Sequence, residues 1–403
     1  MYKVGWTMSF YFQAPENRVY FDHNATAPLA AHLTENLLDW SRHWGNPSSI
    51  HMSGRGPKAL IRQARDQVAK MIGAHTLEII FTSGGSEANN LCLKGWFETC
   101  LQNHPEKKRI FCSAVEHPSV VHSLRSLEKR GAEITVIPVS RKGELDLEFL
   151  TENLDEKTAL VSVMYANNET GHIHPIKKVV KICKTMGVKV HCDAVQALGK
   201  CPVDVTDWGV DFASFSGHKF YSLKGVGVAY CKTGVELQRQ IDGGGQERHR
   251  RAGTENVLAI ASLGEMAQMA DQIGERSGFL KQLRDDLQQK ITHSIEGVVV
   301  NAESSKRIPN TLSLCIDGVN GESLLMNLDM AGISISTGAA CSAGSPEPSP
   351  VLLAMGLTHA EAQSSLRISL GWGNTQNEVD HFVKVLIDVV QRLRNVNKKM
   401  ESN

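Results

Sequence analysis

ALVSVMYANNETGHIHPIKKVVKICKTMGVKVHCDAV (159–195) contains the unit from which the fold is read. Its first eight residues are apolar and rich in branched side chains, as a strand buried on both faces requires. Residues 176–186 follow with helical character, and KVHCDAV (189–195) is again strand-like. A strand, a helix and a second strand of these lengths make one crossover unit.

Working outward, the same alternation fills the chain upstream. Leu60, Ile61, Ala64, Val68, Met71 and Ile72 recur at helical spacing before the apolar run IIFTS (79–83). Helix-like stretches at 86–100, 118–130 and 146–154 are interleaved with RIFCSAV (109–115) and ITVIPV (134–139). The prediction is an α/β domain over 18–260 with a mainly parallel sheet covered on both faces. After residue 260 the rhythm changes. Helix-like stretches at 258–273 and 278–293 precede VVV (298–300), TLSLCI (311–316), ISIS (333–336) and SLRIS (365–369), and an amphipathic helix starts near Asn377. Thr375 and Glu378 have capping-box spacing at its start. Residues 1–17 together with 261–403 are therefore expected to form a smaller α+β domain. A polar Gly/Ser/Pro-rich loop occupies 337–350.

Composition excludes several classes. Lys+Arg and Asp+Glu both number 43 in 403 residues, so no global field favours nucleic acid or an acidic surface. No eighteen-residue apolar stretch exists to span a bilayer. The N-terminus has no signal-peptide pattern and reads as mature protein. The nine cysteines show no CxxC pair, which predicts neither a zinc site nor a disulfide framework and suggests a reducing cytoplasm. Cys112, Cys183, Cys192, Cys231 and Cys315 sit in apolar runs and read as core residues.

Chemistry concentrates where strands end. SFSGHKFYSLKGVG (214–227) places Lys219 on a short turn, either as an amine that must meet a fixed aldehyde or as one more surface lysine. HCDAVQ (191–196) puts Asp193 at a strand's carboxyl end, able to keep a ring nitrogen protonated or simply to cap the next turn, with Gln196 in reach of a ring oxygen. FTSGGSEANN (81–90) sets Gly85 and Ser86 at a helix start, a phosphate cradle or a simple cap. VEHPS (115–119) and ANNETG (166–171) likewise bring His117 and Asn168 to strand ends, as ring neighbours or as turn residues.

In this order these segments resemble the cysteine desulfurases, enzymes of the pyridoxal-phosphate (PLP) fold type I and class V aminotransferase group. YFDHNATAPL (20–29), GNPSSIH (45–51), GGGQERHRRAGTEN (243–256), STGAACSAGSPEPS (336–349) and SSLRISLG (364–371) carry the resemblance. It implies that Lys219 carries PLP as a Schiff base, Asp193 pairs with the ring nitrogen, and Gln196 and Asn168 flank the ring's oxygen edge. His117 would stack on the ring, and Gly85, Ser86, Ser216 and His218 would hold the phosphate. Thr254 would complete that phosphate site from the second subunit of a homodimer. Arg367 would take the carboxylate of L-cysteine, with Asn24 and Asn168 bordering the same pocket. Cys341 would be the nucleophile that receives sulfur as a persulfide, leaving L-alanine. The sulfur would pass to an acceptor protein, an iron–sulfur scaffold or a tRNA-thiolation partner. The 26 positions from Cys341 to Arg367 resemble the long-loop class. Ala27, Ser86, Thr337, Ala339 and Ser342 depart from the usual residues by small exchanges. A selenocysteine lyase, another class V lyase and a non-catalytic sulfur carrier are the alternative readings. No resident metal is expected.

Overall fold

The computed structural model describes residues 18–337 and 347–401. Twelve strands carry the architecture: β1 (Val19–Tyr20), β2 (Ile79–Thr82), β3 (Arg109–Ser113), β4 (Glu133–Ile137), β5 (Thr158–Ser162), β6 (Lys189–Asp193), β7 (Phe212–Ser216), β8 (Gly227–Cys231), β9 (Val298–Val300), β10 (Thr311–Ile316), β11 (Ile333–Ser334) and β12 (Ser365–Ser369).

Seven of them form one sheet in the order β2-β8-β7-β6-β5-β3-β4. β3 to β7 run parallel to their neighbours, and every residue of β5, β7 and β8 is buried. The expected parallel sheet is thus found with one exception: β8 runs antiparallel to both β7 and β2. The ten-residue link 217–226 is too short for a crossover of a dozen or more residues, so the chain turns back beside β7. Gly227 permits the fit at the other side, since a Cβ there would lie 2.5 Å from the backbone of Gly84.

Helices cover the sheet with faces set by apolar spacing. Gly85–Asn103 buries Ala88, Leu91, Cys92 and Phe97, and Pro118–Glu128 buries Val120, Leu124 and Leu127. On the other face Met52–Ile72 packs along Val257–Ala267, and a Cβ on Gly264 would stand 2.5 Å from the Cα of Ala64. The helices expected at 258–273 and 278–293 are Val257–Ala267 and Ile273–Ser294, with a 3-10 turn at Gln268–Gln272 between them.

β9, β10 and β12 form an antiparallel sheet of order β12-β10-β9, packed by the helix Ile273–Ser294, against which Gln376–Glu401 lies in turn. β1 pairs in parallel with β11, which joins the N-terminal segment to the C-terminal third of the chain. The stretch expected as strand at 333–336 is a strand only at β11, and Ser336 instead forms an isolated bridge with Arg367. Five cysteines expected in the core (Cys112, Cys183, Cys192, Cys231 and Cys315) are buried. Among the described residues no helix is long and apolar enough to cross a membrane.

Candidate functional site

At the carboxyl ends of β3, β5, β6 and β7, where an open α/β sheet places its ligands, lies a cavity of about 310 Å³. Lys219 stands on its floor, on the 3-10 turn Gly217–Lys219 that directly follows β7. Gly217 fits because its backbone lies close to Val226 and Ser222, where a Cβ would fall 2.7 Å from Val226 Cγ1. Lys219 Nζ donates to the carbonyls of Asn24 (2.5 Å) and Ala25 (2.6 Å). Those carbonyls aim the amine without supplying a carboxylate.

Asp193, the last residue of β6, is buried, and its carboxylate is fixed from two directions. Asn89 Nδ2 donates to Oδ2 at 2.8 Å, and Val195 N donates to Oδ1 at 3.0 Å. The turn-capping role and the cavity role therefore coexist in one side chain. His117 occupies the N-cap of Pro118–Glu128, and its Nδ1 accepts from Ser119 N at 3.1 Å. An accepting Nδ1 leaves the proton on Nε2. Burial, and next to it the charge of Lys219, hold this imidazole below its usual pKa against the pull of Asp193.

Gly85 and Ser86 start the helix Gly85–Asn103, and the positive end of its dipole faces the cavity. A Cβ at Gly85 would fall 2.7 Å from Val195 Cγ2, so glycine alone keeps this cradle open. Ser216 and His218 line the same end. Burial, with the charges of Lys219, Lys224 and Lys200 added to it, brings His218 down to about 4.

Arg367 forms the opposite wall and is almost fully buried. Its Nη2 donates to Asp22 Oδ1 at 2.7 Å and its Nη1 to the Asn168 carbonyl at 3.4 Å. Its Nε is buried without a hydrogen-bond partner among the described residues. Such an orphaned donor in a cavity fits an anionic ligand group. Asn24 joins this wall to the floor: its Nδ2 donates to the Asn168 carbonyl (3.0 Å) and to Thr311 Oγ1 (2.8 Å).

The cavity thus gathers Asn24, Gly85, Ser86, His117, Asn168 and Asp193 together with Gln196, Ser216, His218, Lys219 and Arg367. Thr254 is exposed and does not line it. Cys341 lies outside the described residues. The described residues on either side of it are tied to Arg367 and to Glu169, the neighbour of Asn168. Ser336 exchanges backbone hydrogen bonds with Arg367 (2.7 and 3.2 Å), and Ser349 Oγ donates to Glu169.

Sequence reading missed Asn89, Ser119 and Asp22. Asn89 donates to Ser119 Oγ at 2.8 Å as well as to Asp193. Its spacing of three and four from Ser86 and Gly85 places it on the same helix face, a signal that was available. Among the described residues no His/Cys/Asp/Glu cluster could hold a metal ion.

The donors present fit PLP. The helix N-terminus suits a phosphate, a buried carboxylate suits a ring nitrogen, an amine suits an aldehyde, and a guanidinium suits the substrate's carboxylate. The family profile described as aminotransferase class V matches residues 19–382. A curated cysteine desulfurase IscS of Clostridium botulinum is 40% identical over 95% of this chain and 97% of its own length. Cysteine desulfurase IscS 1 of Archaeoglobus fulgidus is 41% identical over 94% of this chain and 98% of its own. A solved structure described as a NifS-like protein superposes with a TM-score of 0.87 at 36% identity, over 93% of this chain and 99% of that one. Matched in this way across nearly its whole length, with a cavity whose donors suit that cofactor, the chain belongs to the cysteine desulfurases, PLP-dependent enzymes of the class V aminotransferase family.

Proposed function

We propose that this chain removes the sulfur of L-cysteine, releases L-alanine and carries the sulfur as a persulfide on Cys341 to an acceptor protein. The observation that supports it most is the convergence of Lys219, Asp193 and Arg367 on one cavity. Bound there, PLP supplies an electron sink for bond changes at the substrate's Cα and Cβ. Lys219 holds the cofactor covalently, with Gly85, Ser86, Ser216 and His218 around its phosphate. Asp193 keeps a proton at its ring nitrogen, and Gln196 and Asn168 face its oxygen edge. His117, whose Nδ1 accepts from Ser119 N, would stack on the ring and could hand over a proton there from Nε2. Arg367 orients the substrate by its carboxylate, with Asn24 and Asn168 bordering the same wall.

The thiolate of Cys341 then attacks the substrate's sulfur. An S–S bond forms as the Cβ–S bond breaks, and the electron pair stays with carbon, which takes up protons on the way to alanine. We further read the enzyme as a homodimer in which Thr254 completes the neighbour's phosphate site, working in a reducing cytoplasm. An iron–sulfur scaffold or a tRNA-thiolation protein takes the sulfur.

Substituting Lys219→Ala and Cys341→Ser separately tests the two halves. The first variant, still folded, should lose the visible absorption of the bound cofactor together with turnover. The second should keep that absorption and its change on adding cysteine, yet lose nearly all alanine formation and carry no persulfide by mass spectrometry. Alanine formation near the unmodified rate from Cys341→Ser would overturn the desulfurase mechanism and favour a lyase.

A further inference from the structure

Four residues beyond Gln196, a buried lysine reaches toward the site. Lys200 is 6% exposed, and its Nζ donates to Asn24 Oδ1 at 2.9 Å and to Gln196 Oε1. The chain is shaped to put it there. Gly199 takes φ +74°, and a Cβ on it would lie 2.1 Å from the ring of Phe220. Lys200 N donates to Ala197 O at 3.0 Å, and Ser277 Oγ donates to Lys200 O at 2.7 Å. Burial, and then the charges of Lys219 and Arg367, push its pKa well below the ordinary lysine value. The imidazoles of His23 and His218 also feel its charge. A buried ammonium bound to amide oxygens is a costly arrangement for stability alone.

Its use follows from hydrogen-bond polarity. A lysine ammonium donates and never accepts, and even the neutral amine keeps two hydrogens for these two oxygens, whereas an amide can turn either end toward a neighbour. With Lys200 in place, Gln196 and Asn24 must both face it with oxygen. Gln196 Nε2 then points away and donates one hydrogen to Asn24 O at 3.1 Å, the same carbonyl that receives Lys219 Nζ. Its second hydrogen remains for the cavity that Gln196 lines. Asn24 Oδ1 is also met by Asn310 Nδ2 at 3.2 Å, so Asn24 keeps its orientation by two donors. Gln196 Oε1 has Lys200 as its donor.

We propose that Lys200 is a positioning residue that locks the Gln196 amide with its N–H toward the cofactor's ring oxygen. The inference rests on the PLP reading of the cavity. A fixed donor at that oxygen favours its anionic form and weakens the hold on the proton that it shares with the lysine-bound nitrogen. The absorption of the bound cofactor should therefore change over at a lower pH than it would without the donor.

The test is a pH titration of the visible absorption of the holoenzyme, with the apo form's far-UV circular dichroism as a folding control. Gln196→Leu should move the midpoint up by on the order of one pH unit. Lys200→Met, equal in length and unable to donate, should also move it up. In the Gln196→Leu background, Lys200→Met should add little, because the amide it orients is gone. Lys200→Gln, which can donate or accept, keeps the test open if the methionine variant does not fold, and its upward shift should be smaller. Three results overturn the proposal, each differently. Unmoved midpoints in both folded Lys200 variants remove the positioning role. A Lys200→Met shift undiminished by Gln196→Leu assigns the effect to bare charge. An unmoved midpoint in Gln196→Leu itself removes the placement of Gln196 at the ring oxygen.

Discussion

Glu169 sits directly after Asn168 with its carboxyl buried against the base of the 337–350 loop. Burial raises its pKa to about 7, although Ser349's hydroxyl and the charge of Arg367 pull it down. The native state binds this proton more tightly than the unfolded chain, so stability falls as pH rises from the ordinary carboxylate range to about 7. Glu169→Gln mimics the protonated form. It should flatten that part of the stability curve and raise stability above pH 7 by on the order of 2 kcal/mol, read as melting temperature against pH. At this scale the sequence was legible where a side chain ends a strand. Lys219, Asp193, His117 and Asn168 declare themselves by following apolar runs. Asp22 and Lys200 do not, because what gives them meaning comes from far away: Arg367 lies 345 positions from Asp22, and Asn24 lies 176 from Lys200.

Among the described residues strain gathers in the hook Gln246–His249, where Glu247, Arg248 and His249 take φ of +46°, +58° and +65° in succession. Three consecutive non-glycine residues in the left-handed region need outside support. Glu247 provides it. Its buried carboxylate accepts from Arg65 at 2.5 and 2.8 Å and from Phe81 N at 3.0 Å. Arg251 beyond it pairs with Glu87 at 2.8 Å, which leads the chain on to Thr254. Glu247→Gln leaves Arg65 buried without its counter-charge and should cost on the order of 3 kcal/mol, measurable by urea denaturation. Its effect should exceed that of Arg251→Gln, whose pair is more exposed. The hook's sequence attracted notice only through the family resemblance, since no periodicity encodes a left-handed run. The capping box of Thr375 and Glu378, by contrast, is local chemistry and was readable. Thr375 N donates to Glu378 Oε2 at 2.7 Å, and Glu378 N to Thr375 Oγ1 at 3.3 Å. The reversal of β8 cannot be read from its apolar run, which is alike in parallel and antiparallel buried strands, and its only signal in the sequence is the short link before it.

For the molecule as a whole, Thr254 poses the question of a second copy, since it is exposed in this chain and lies off the cavity. If it serves the neighbour's phosphate, mixing Lys219→Ala with Thr254→Ala chains should place both lesions in one site and leave the other intact. Activity and cofactor binding in the mixture should then exceed those of either parent variant. No recovery at verified mixing, with Thr254→Ala measurably impaired on its own, would count against a shared site. The joining of the chain's two ends has a further consequence, one of timing. Phe21 N donates to Ser334 O (2.8 Å), His23 N to Ser369 O (3.1 Å) and Asn24 N to Ser369 Oγ (2.9 Å). The wall that aims Lys219 thus leaves the ribosome 345 residues before the strand that holds it. The sheet can form as its strands emerge, while the pocket stays incomplete until β12 has been made. A nascent chain stalled before β12 should carry a folded sheet and capture no cofactor, which makes loading of the enzyme wait for that strand.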